Sequence, residues 1–213
     1  MSDIKHVNKR RFGEQLIKLL NSGHYVTESS LTLPQAMLFV AQARDKLARD
    51  SMLSRRGDYE SFDIYAQFLT TYTEKTRPMP NGRKGVYLPL KYRPLNILNN
   101  EGIFEVFFTA DETDNHNQLL PLPAGFNSMF RGSSDLEGMA GYIPEKDKLI
   151  IVGYDTPDAE ITVKLIASSV DMDEYDMFPI SGDMEYDVLR MALELAGVSK
   201  QMAKDIINDN VNQ

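Results

Sequence analysis

Hydrophobic residues recur at helical spacing near both ends of the chain, and at alternate positions between them. Near the start, the apolar residues follow one another at i, i+4, i+7 and i+8, and Gly23 then supplies a stop. They are Phe12, Leu16, Leu19 and Leu20. The spacing predicts an amphipathic helix over 7–21.

A second helix is predicted to begin at Thr32. The Thr32 side chain suits the N-cap, Gln35 can reach back to it, and Pro34 lacks a backbone N–H that would be unpaired anyway. An apolar stripe then continues to about Gly57, formed by Ala36, Val40, Ala43 and Leu47. The two helices are predicted to form a hairpin whose apolar faces are buried.

In the middle of the chain, the spacing of hydrophobic residues changes from the helical period to the alternation that is typical of strands. The run 62–72 fits a strand by alternation and also fits a helix, and both interpretations stay open. The other predicted strands are 85–90, 103–109, 138–143, 148–154 and 160–168. Pro- and Gly-rich segments between the strands predict turns, and long loops are expected at 77–85, 110–135 and 170–182.

Helical spacing returns near the end of the chain. An apolar stripe formed by Met184, Val188, Met191, Ala192 and Leu195 ends at Gly197, and a shorter helix is expected from Ser199. These patterns predict an α+β fold. Its N- and C-terminal helices, in 1–57 and 181–213, form one helical platform, and 58–180 is an antiparallel β insertion resembling a sandwich or barrel.

Charge is distributed unevenly along the 213 residues. The first 56 carry ten Lys or Arg against five acids, and the rest carry thirteen against twenty-six. A solvated surface accounts for such a pattern, and so do head-to-tail contacts between copies. For such contacts the predicted interaction residues are Lys9, Arg10 and Arg11 on one side, and Asp173, Glu174 and Asp176 on the other.

The sequence offers no catalytic constellation. There is no Cys, the three histidines are isolated, and the acidic run at 111–117 lacks the Gly and Glu of a calcium-binding EF-hand loop. The basic 81–85 segment lacks the spacing of a phosphate loop. We expect neither enzymatic activity nor a cofactor. No apolar run approaches the ~20 residues that a bilayer requires, so we expect a soluble protein.

Short phrases along the chain resemble the virion structural proteins of crAss-like tailed bacteriophages, specifically their small neck or ring proteins between portal and tail. The phrases are NKRRF at 8–12, LPQAM at 33–37, QARDKL at 42–47, LPL at 88–90, LNIL at 95–98, GIFEV at 102–106, ISGDME at 180–185 and DIINDN at 205–210. That family contributes no catalytic residues.

The resemblance implies a ring-forming head-to-tail connector located in the virion. Its expected partners are further copies of itself, neighbouring portal, neck or tail proteins, and DNA passing through the conduit; no membrane is expected. Two alternatives stay open, an adhesion or carbohydrate-binding β-sandwich of a tail appendage and an unrecognised hydrolase. The absence of Trp disfavours the first of these, because carbohydrate-binding surfaces normally display exposed aromatic rings.

Overall fold

The computed structural model describes residues 8–21, 31–54, 67–80, 83–96, 102–109, 118–123, 140–145, 147–153, 159–180 and 182–197. The chain divides into two units. The helical unit comprises Met1–Phe68 with Met172–Gln213, and the β unit comprises Leu69–Asp171. Segment 172–180, which the sequence assigns to the β insertion, therefore belongs with the helices.

Three helices form the described part of the helical unit: α1 (Lys9–Leu20), α2 (Leu33–Ser54) and α3 (185–197). A 3₁₀ turn over Gly182–Met184 precedes α3. The start of α2 shows the predicted reach of Gln35 back to Thr32, because the Gln35 side-chain oxygen accepts hydrogen bonds from the Thr32 backbone N–H and hydroxyl, both at 3.0 Å. The predicted helix after Ser199 lies outside the described residues.

Buried residues of all three helices belong to one hydrophobic cluster. Phe12 and Leu16 of α1, Val40 of α2 and Val188 of α3 are each fully buried in it. The Phe12 ring also lies 5.5 Å from the ring of Phe178. Close approach of α1 and α2 requires a glycine, since a Cβ at Gly13 would lie only 2.8 Å from Cγ of Met37.

Arg44 of α2 is a fully buried cation inside the helical unit. Its guanidinium donates to the carbonyls of Phe68 and Pro179, at 3.0 and 3.3 Å, and to Asp45 Oδ1 at 3.2 Å. It also lies 5.3 Å from the centre of the Phe68 ring. Phe68 immediately precedes the β unit in sequence, and Pro179 lies soon after the chain returns from it. One side chain thus binds the outgoing and returning segments to α2.

The described residues of the β unit form two sheets. A three-stranded antiparallel sheet has the order β1-β8-β4, and a five-stranded sheet has the order β2-β3-β7-β6-β5. The strands are β1 (Thr70–Lys75), β2 (Arg77–Met79), β3 (Arg83–Tyr87), β4 (Ile103–Phe108), β5 (Leu120–Pro121), β6 (Gly141–Glu145), β7 (Lys148–Val152) and β8 (Glu160–Leu165). The central strands β7 and β8 are almost continuously buried.

The mixed α+β class is confirmed, and several details of the β prediction are wrong. Of the predicted sandwich or barrel, the barrel is not formed by the described strands, and β5 pairs with β6 in parallel where an antiparallel arrangement was expected. Segment 77–85 is not a long loop, because Arg77–Met79 pairs with Arg83–Gly85 as an antiparallel hairpin. Of the run 62–72, only 67–72 is described, and its strand begins at Thr70.

Candidate interaction site

The predicted basic residues form the first turn of α1. Asn8 is the N-cap, and its side-chain oxygen accepts a hydrogen bond from the Arg11 backbone N–H at 2.9 Å. This cap fixes the start of the helix at Lys9. Three cations at a helix N-terminus oppose the helix dipole, which favours acids there, and no acid lies in the first turn. Negative charge has to come from elsewhere in the structure.

That charge comes from segment 172–177 of the same chain, which runs beside the start of α1. Asn8 and Met177 form an antiparallel bridge, and the backbone N–H of Arg10 donates to the carbonyl of Glu174 at 3.1 Å. The acidic residues 173, 174 and 176 are thereby placed next to the positive end of α1. The electrostatic mismatch in the first helical turn is offset within the chain.

Lys9 is part of this internal contact. Its side chain is 8% exposed, and its ammonium group donates to the carbonyl of Met172 at 2.6 Å. The alkyl stem of a lysine can cover apolar surface while its charged end reaches a polar partner. Lys9 therefore holds the returning segment against α1 and is not displayed to a partner or to DNA.

Arg10 has several partners on the surface. Its guanidinium lies 3.1 Å from Glu14 Oε1 and 3.5 Å from Glu174 Oε2, and it donates to the Tyr175 hydroxyl at 2.8 Å. It also lies 5.5 Å from the centre of the Tyr175 ring. The hydrogen bond to Glu14, followed by the charge of Tyr175, raises the pKa of Arg10. Exposed ion pairs of this kind add little to stability, so their main effect is to fix side-chain positions.

Some of the six predicted residues therefore make contacts within one chain. Lys9 and Arg10 contact Met172, Glu174 and Tyr175 internally. Arg11 and Asp173 are exposed, and Asp176 is half-buried. A contact between copies through these residues stays a prediction, for which Arg11 and Asp173 have the most accessible side chains.

Large exposed side chains of the helical unit, two of them in the segment beside α1, are the feature that the sequence did not predict. Tyr175 is 66% exposed and Met177 is 65% exposed, although the adjacent Phe178 is buried. Tyr186 in α3 is 73% exposed. Aromatic residues, Met and Arg are enriched in protein–protein interfaces. The signal in the sequence was the placement of Tyr175, Met177 and Tyr186 among acids, which marks them as surface residues.

The β unit contains a cavity of about 290 Å³. Its apolar wall includes Leu88, Leu95 and Ile103, and Arg93 and Glu145 supply charge. Each of these charged groups has an internal partner. Arg93 lies 3.8 Å from an Asp171 carboxylate oxygen, and Glu145 lies 2.9 Å from Lys148 Nζ. The cavity is of a size to accept one large side chain or a small ligand.

None of the helices within the described ranges is long and apolar enough to cross a membrane. In the same part of the chain, no group of three His, Cys, Asp or Glu residues is placed to hold a metal ion. Comparison of the sequence with models of known protein families finds no match, and comparison with characterised proteins finds none either.

Proposed function

We propose that this chain is a structural virion protein that forms a ring at the head-to-tail junction, between the portal and the tail, and helps to build the DNA conduit. The observation that carries the proposal is the exposure of Tyr175, Met177 and Tyr186 on the helical unit, where the Tyr175 hydroxyl accepts a hydrogen bond from the guanidinium of Arg10. Large exposed side chains held by a rigid neighbourhood are typical of binding hot spots.

The helical unit serves as the body of each subunit in this proposal. Its three helices share a hydrophobic cluster, so it can transmit contacts on one side to the other without local rearrangement. The β unit extends contacts to neighbouring copies or layers. The protein has a formal net charge of −8, and an acidic conduit wall would repel phosphate and let DNA slide through.

The proposal is tested on purified virus particles from an infected host. Quantitative mass spectrometry should find the chain in a fixed copy number, equal to the number of subunits in a ring found by cryo-electron microscopy at the junction. Particles made without the gene should contain packaged heads that lack tails. If the chain is absent from particles, or if tailed particles form without it, the proposal fails.

A carbohydrate-binding role on a tail appendage is the second candidate. It is favoured by one feature of the β unit, the pairing of the Tyr72 and Tyr92 rings at 4.6 Å with Lys91 Nζ 5.3 Å from the Tyr92 ring centre. Both tyrosines are half-buried, which leaves less ring surface for a sugar than an exposed platform would offer. Binding of the purified chain to a glycan array, abolished by Tyr92→Ala, would favour this function over the connector.

A further inference from the structure

Two tyrosine rings of the β unit lie against each other. Tyr72 belongs to β1, and Tyr92 ends the 3₁₀ turn over Leu90–Tyr92 that follows β3. Their ring centres are 4.6 Å apart and their planes are inclined by 31°. This distance is at the short end of those found for paired aromatic rings. Because both residues are half-buried, each ring meets the other more readily than it meets a ring of a second molecule.

The hydroxyl of Tyr72 has a proton acceptor in place. It donates to Glu74 Oε2 at 3.0 Å, and Glu74 Oε1 accepts from Arg77 Nη2 at 2.8 Å. Burial, followed by the hydrogen bond to Glu74, raises the pKa of Tyr72 to about 12, so the phenol keeps its proton at neutral pH. Hydrogen bonds from Arg77 and Tyr72 lower the pKa of Glu74, so this carboxylate is ionised there. A charged base can therefore take the proton of Tyr72 when the ring is oxidised.

The sequence contains no Cys, so a covalent cross-link within it has to use other side chains. Tyrosine rings can form a carbon–carbon bond to each other after one-electron oxidation. We propose that Tyr72 and Tyr92 form an oxidative cross-linking site, at which a one-electron oxidant joins the two rings as dityrosine within one chain. This inference does not depend on the proposed function.

The reaction removes one electron and one proton from each ring. The electrons go to the oxidant, the proton of Tyr72 passes to Glu74, and the proton of Tyr92 passes to water. The two radicals then form a bond between the ring carbons next to their hydroxyl groups, and the hydrogens on those carbons move to the phenolic oxygens. Persulfate takes up both electrons and is reduced to two sulfate ions; hydrogen peroxide used by a haem peroxidase is reduced to two water molecules instead.

Photo-oxidation of the purified chain with a ruthenium tris-bipyridyl complex and persulfate tests the proposal. The product should be a monomer with dityrosine fluorescence that has lost two hydrogen atoms, and peptide mapping should join the peptides that contain Tyr72 and Tyr92. Its yield should not change on dilution of the protein, because the rings meet within one chain. A cross-link formed only between copies, or only by other tyrosines, would overturn the proposal.

Phenylalanine variants identify the reacting rings. Tyr72→Phe and Tyr92→Phe should each abolish the monomeric product, since phenylalanine has no hydroxyl hydrogen to lose. Tyr87→Phe is the matched control, because it removes a tyrosine of β3 in the same unit that is 45% exposed. Its yield should equal that of the wild type. An equal loss of product in Tyr87→Phe and Tyr92→Phe would contradict the assignment of the rings.

The part played by Glu74 has a separate test. Glu74→Gln keeps an oxygen that can accept the hydrogen bond of Tyr72 but removes the base, so it should slow cross-linking by about tenfold or more. Arg77→Gln breaks the same ion pair and leaves the carboxylate in place, so its rate should stay close to that of the wild type. Equal rates for Glu74→Gln and Arg77→Gln would overturn the role of Glu74 as proton acceptor.

The cross-link would tie β1 to the turn that follows β3. A covalent bond between positions that are separated along the chain restricts the unfolded state. Cross-linked protein should therefore melt at a higher temperature than Tyr92→Phe treated with the oxidant in the same way. Equal melting temperatures would overturn a stabilising role for the cross-link.

Discussion

Thr76 and Thr162 differ in how their buried hydroxyl groups are paired. Both residues are 5% exposed or less. The Thr162 hydroxyl lies 3.0 Å from that of Thr73 and 2.8 Å from that of Thr109, which links β8 to β1 and to the residue that follows β4. The Thr76 hydroxyl has no hydrogen-bond partner among the described residues. A buried polar group without a partner costs free energy on folding.

The same substitution should therefore have opposite effects at these two positions. Thr76→Val replaces an unpaired hydroxyl by a methyl of similar size and should raise the free energy of unfolding by about 1 kcal/mol. Thr162→Val breaks two contacts and should lower it by about 1–2 kcal/mol. Urea denaturation of both variants checks this, and a loss of stability in Thr76→Val would show that its hydroxyl has a partner.

Tyr142 makes stability depend on alkaline pH. Burial raises the pKa of its phenol to about 12, above the ordinary value of 10. Between these two pH values the unfolded chain releases this proton and the folded chain keeps it, so stability falls as pH rises. The loss should be roughly 1–3 kcal/mol between pH 10 and 12, and Tyr142→Phe should remove that part of it. An equal loss of stability in the two proteins between pH 10 and 12 would contradict the assignment.

At the scale of elements, α3 contacts the rest of the helical unit through Val188. Val188 is fully buried in the cluster that includes Phe12 and Val40. Val188→Asp should lower the free energy of unfolding by roughly 3–5 kcal/mol, because it puts a carboxylate in an apolar cluster. Tyr186→Asp is the control, two residues away at a position that is 73% exposed, and should cost little. Equal melting temperatures for the two variants would mean that the packing of α3 does not depend on the burial of Val188.

The elements that could be predicted from the sequence are those with local signals. The start of α2 follows from Thr32, Pro34 and Gln35, whose capping contacts span only a few residues. The strand at 103–108 was likewise visible in its apolar run. The parallel pair of β5 and β6 was not predictable, because it depends on which distant strands come together, and a two-residue strand has no period of its own.

Arg44 shows why part of the core could not be predicted. In the sequence it counts as one of ten bases near the N-terminus and adjoins the predicted apolar stripe at Ala43. In the structure it is fully buried, and desolvation lowers its pKa although Asp45 opposes the shift. Its other partners, the carbonyls of Phe68 and Pro179, are remote in sequence. Only the tertiary fold supplies them, so the residue alone indicates a surface cation.

Charge summed over long stretches of the chain likewise hides the charge of shorter ones. Summing charge over residues 57–213 gives a strongly acidic region, and that sum conceals the stretch 75–100, which has six basic residues and no acid. The basic and acidic residues predicted to meet between chains include Lys9 and Arg10, which are already engaged within the chain. Part of the charge that was predicted to pair between copies is therefore paired within one chain.

At the scale of the whole molecule, net charge opposes self-association of free copies. With a formal charge of −8, each copy repels the next at long range, and attraction between local segments acts only at contact. If the proposed connector role is right, the isolated chain should be a monomer or a weak oligomer and should form a ring mainly on a portal-like partner. Light scattering at micromolar protein checks this. A stable closed ring without a partner would contradict it, whereas stronger association at moderate salt, where repulsion is screened, would agree with it.

The basic cluster of α1 can be tested for a role in assembly only through its exposed member. Reversing Lys9 would put a carboxylate against the Met172 carbonyl in a buried position and should cost roughly 3–5 kcal/mol, so a triple reversal of Lys9, Arg10 and Arg11 would confuse folding with assembly. Arg11→Glu should leave the melting temperature almost unchanged, since Arg11 is exposed.

If Arg11 meets an acidic neighbour in the virion, Arg11→Glu should reduce incorporation of the chain into particles, and changing Asp173 to Lys in the same chain should restore part of it. Lys18→Glu makes the same charge change at another exposed position of α1 and serves as the control. A DNA role for Arg11 forecasts normal incorporation followed by a defect in genome retention or ejection. Wild-type numbers of infectious particles from Arg11→Glu would exclude both roles, and the part of this cluster that faces solvent would then be an ordinary solvated surface.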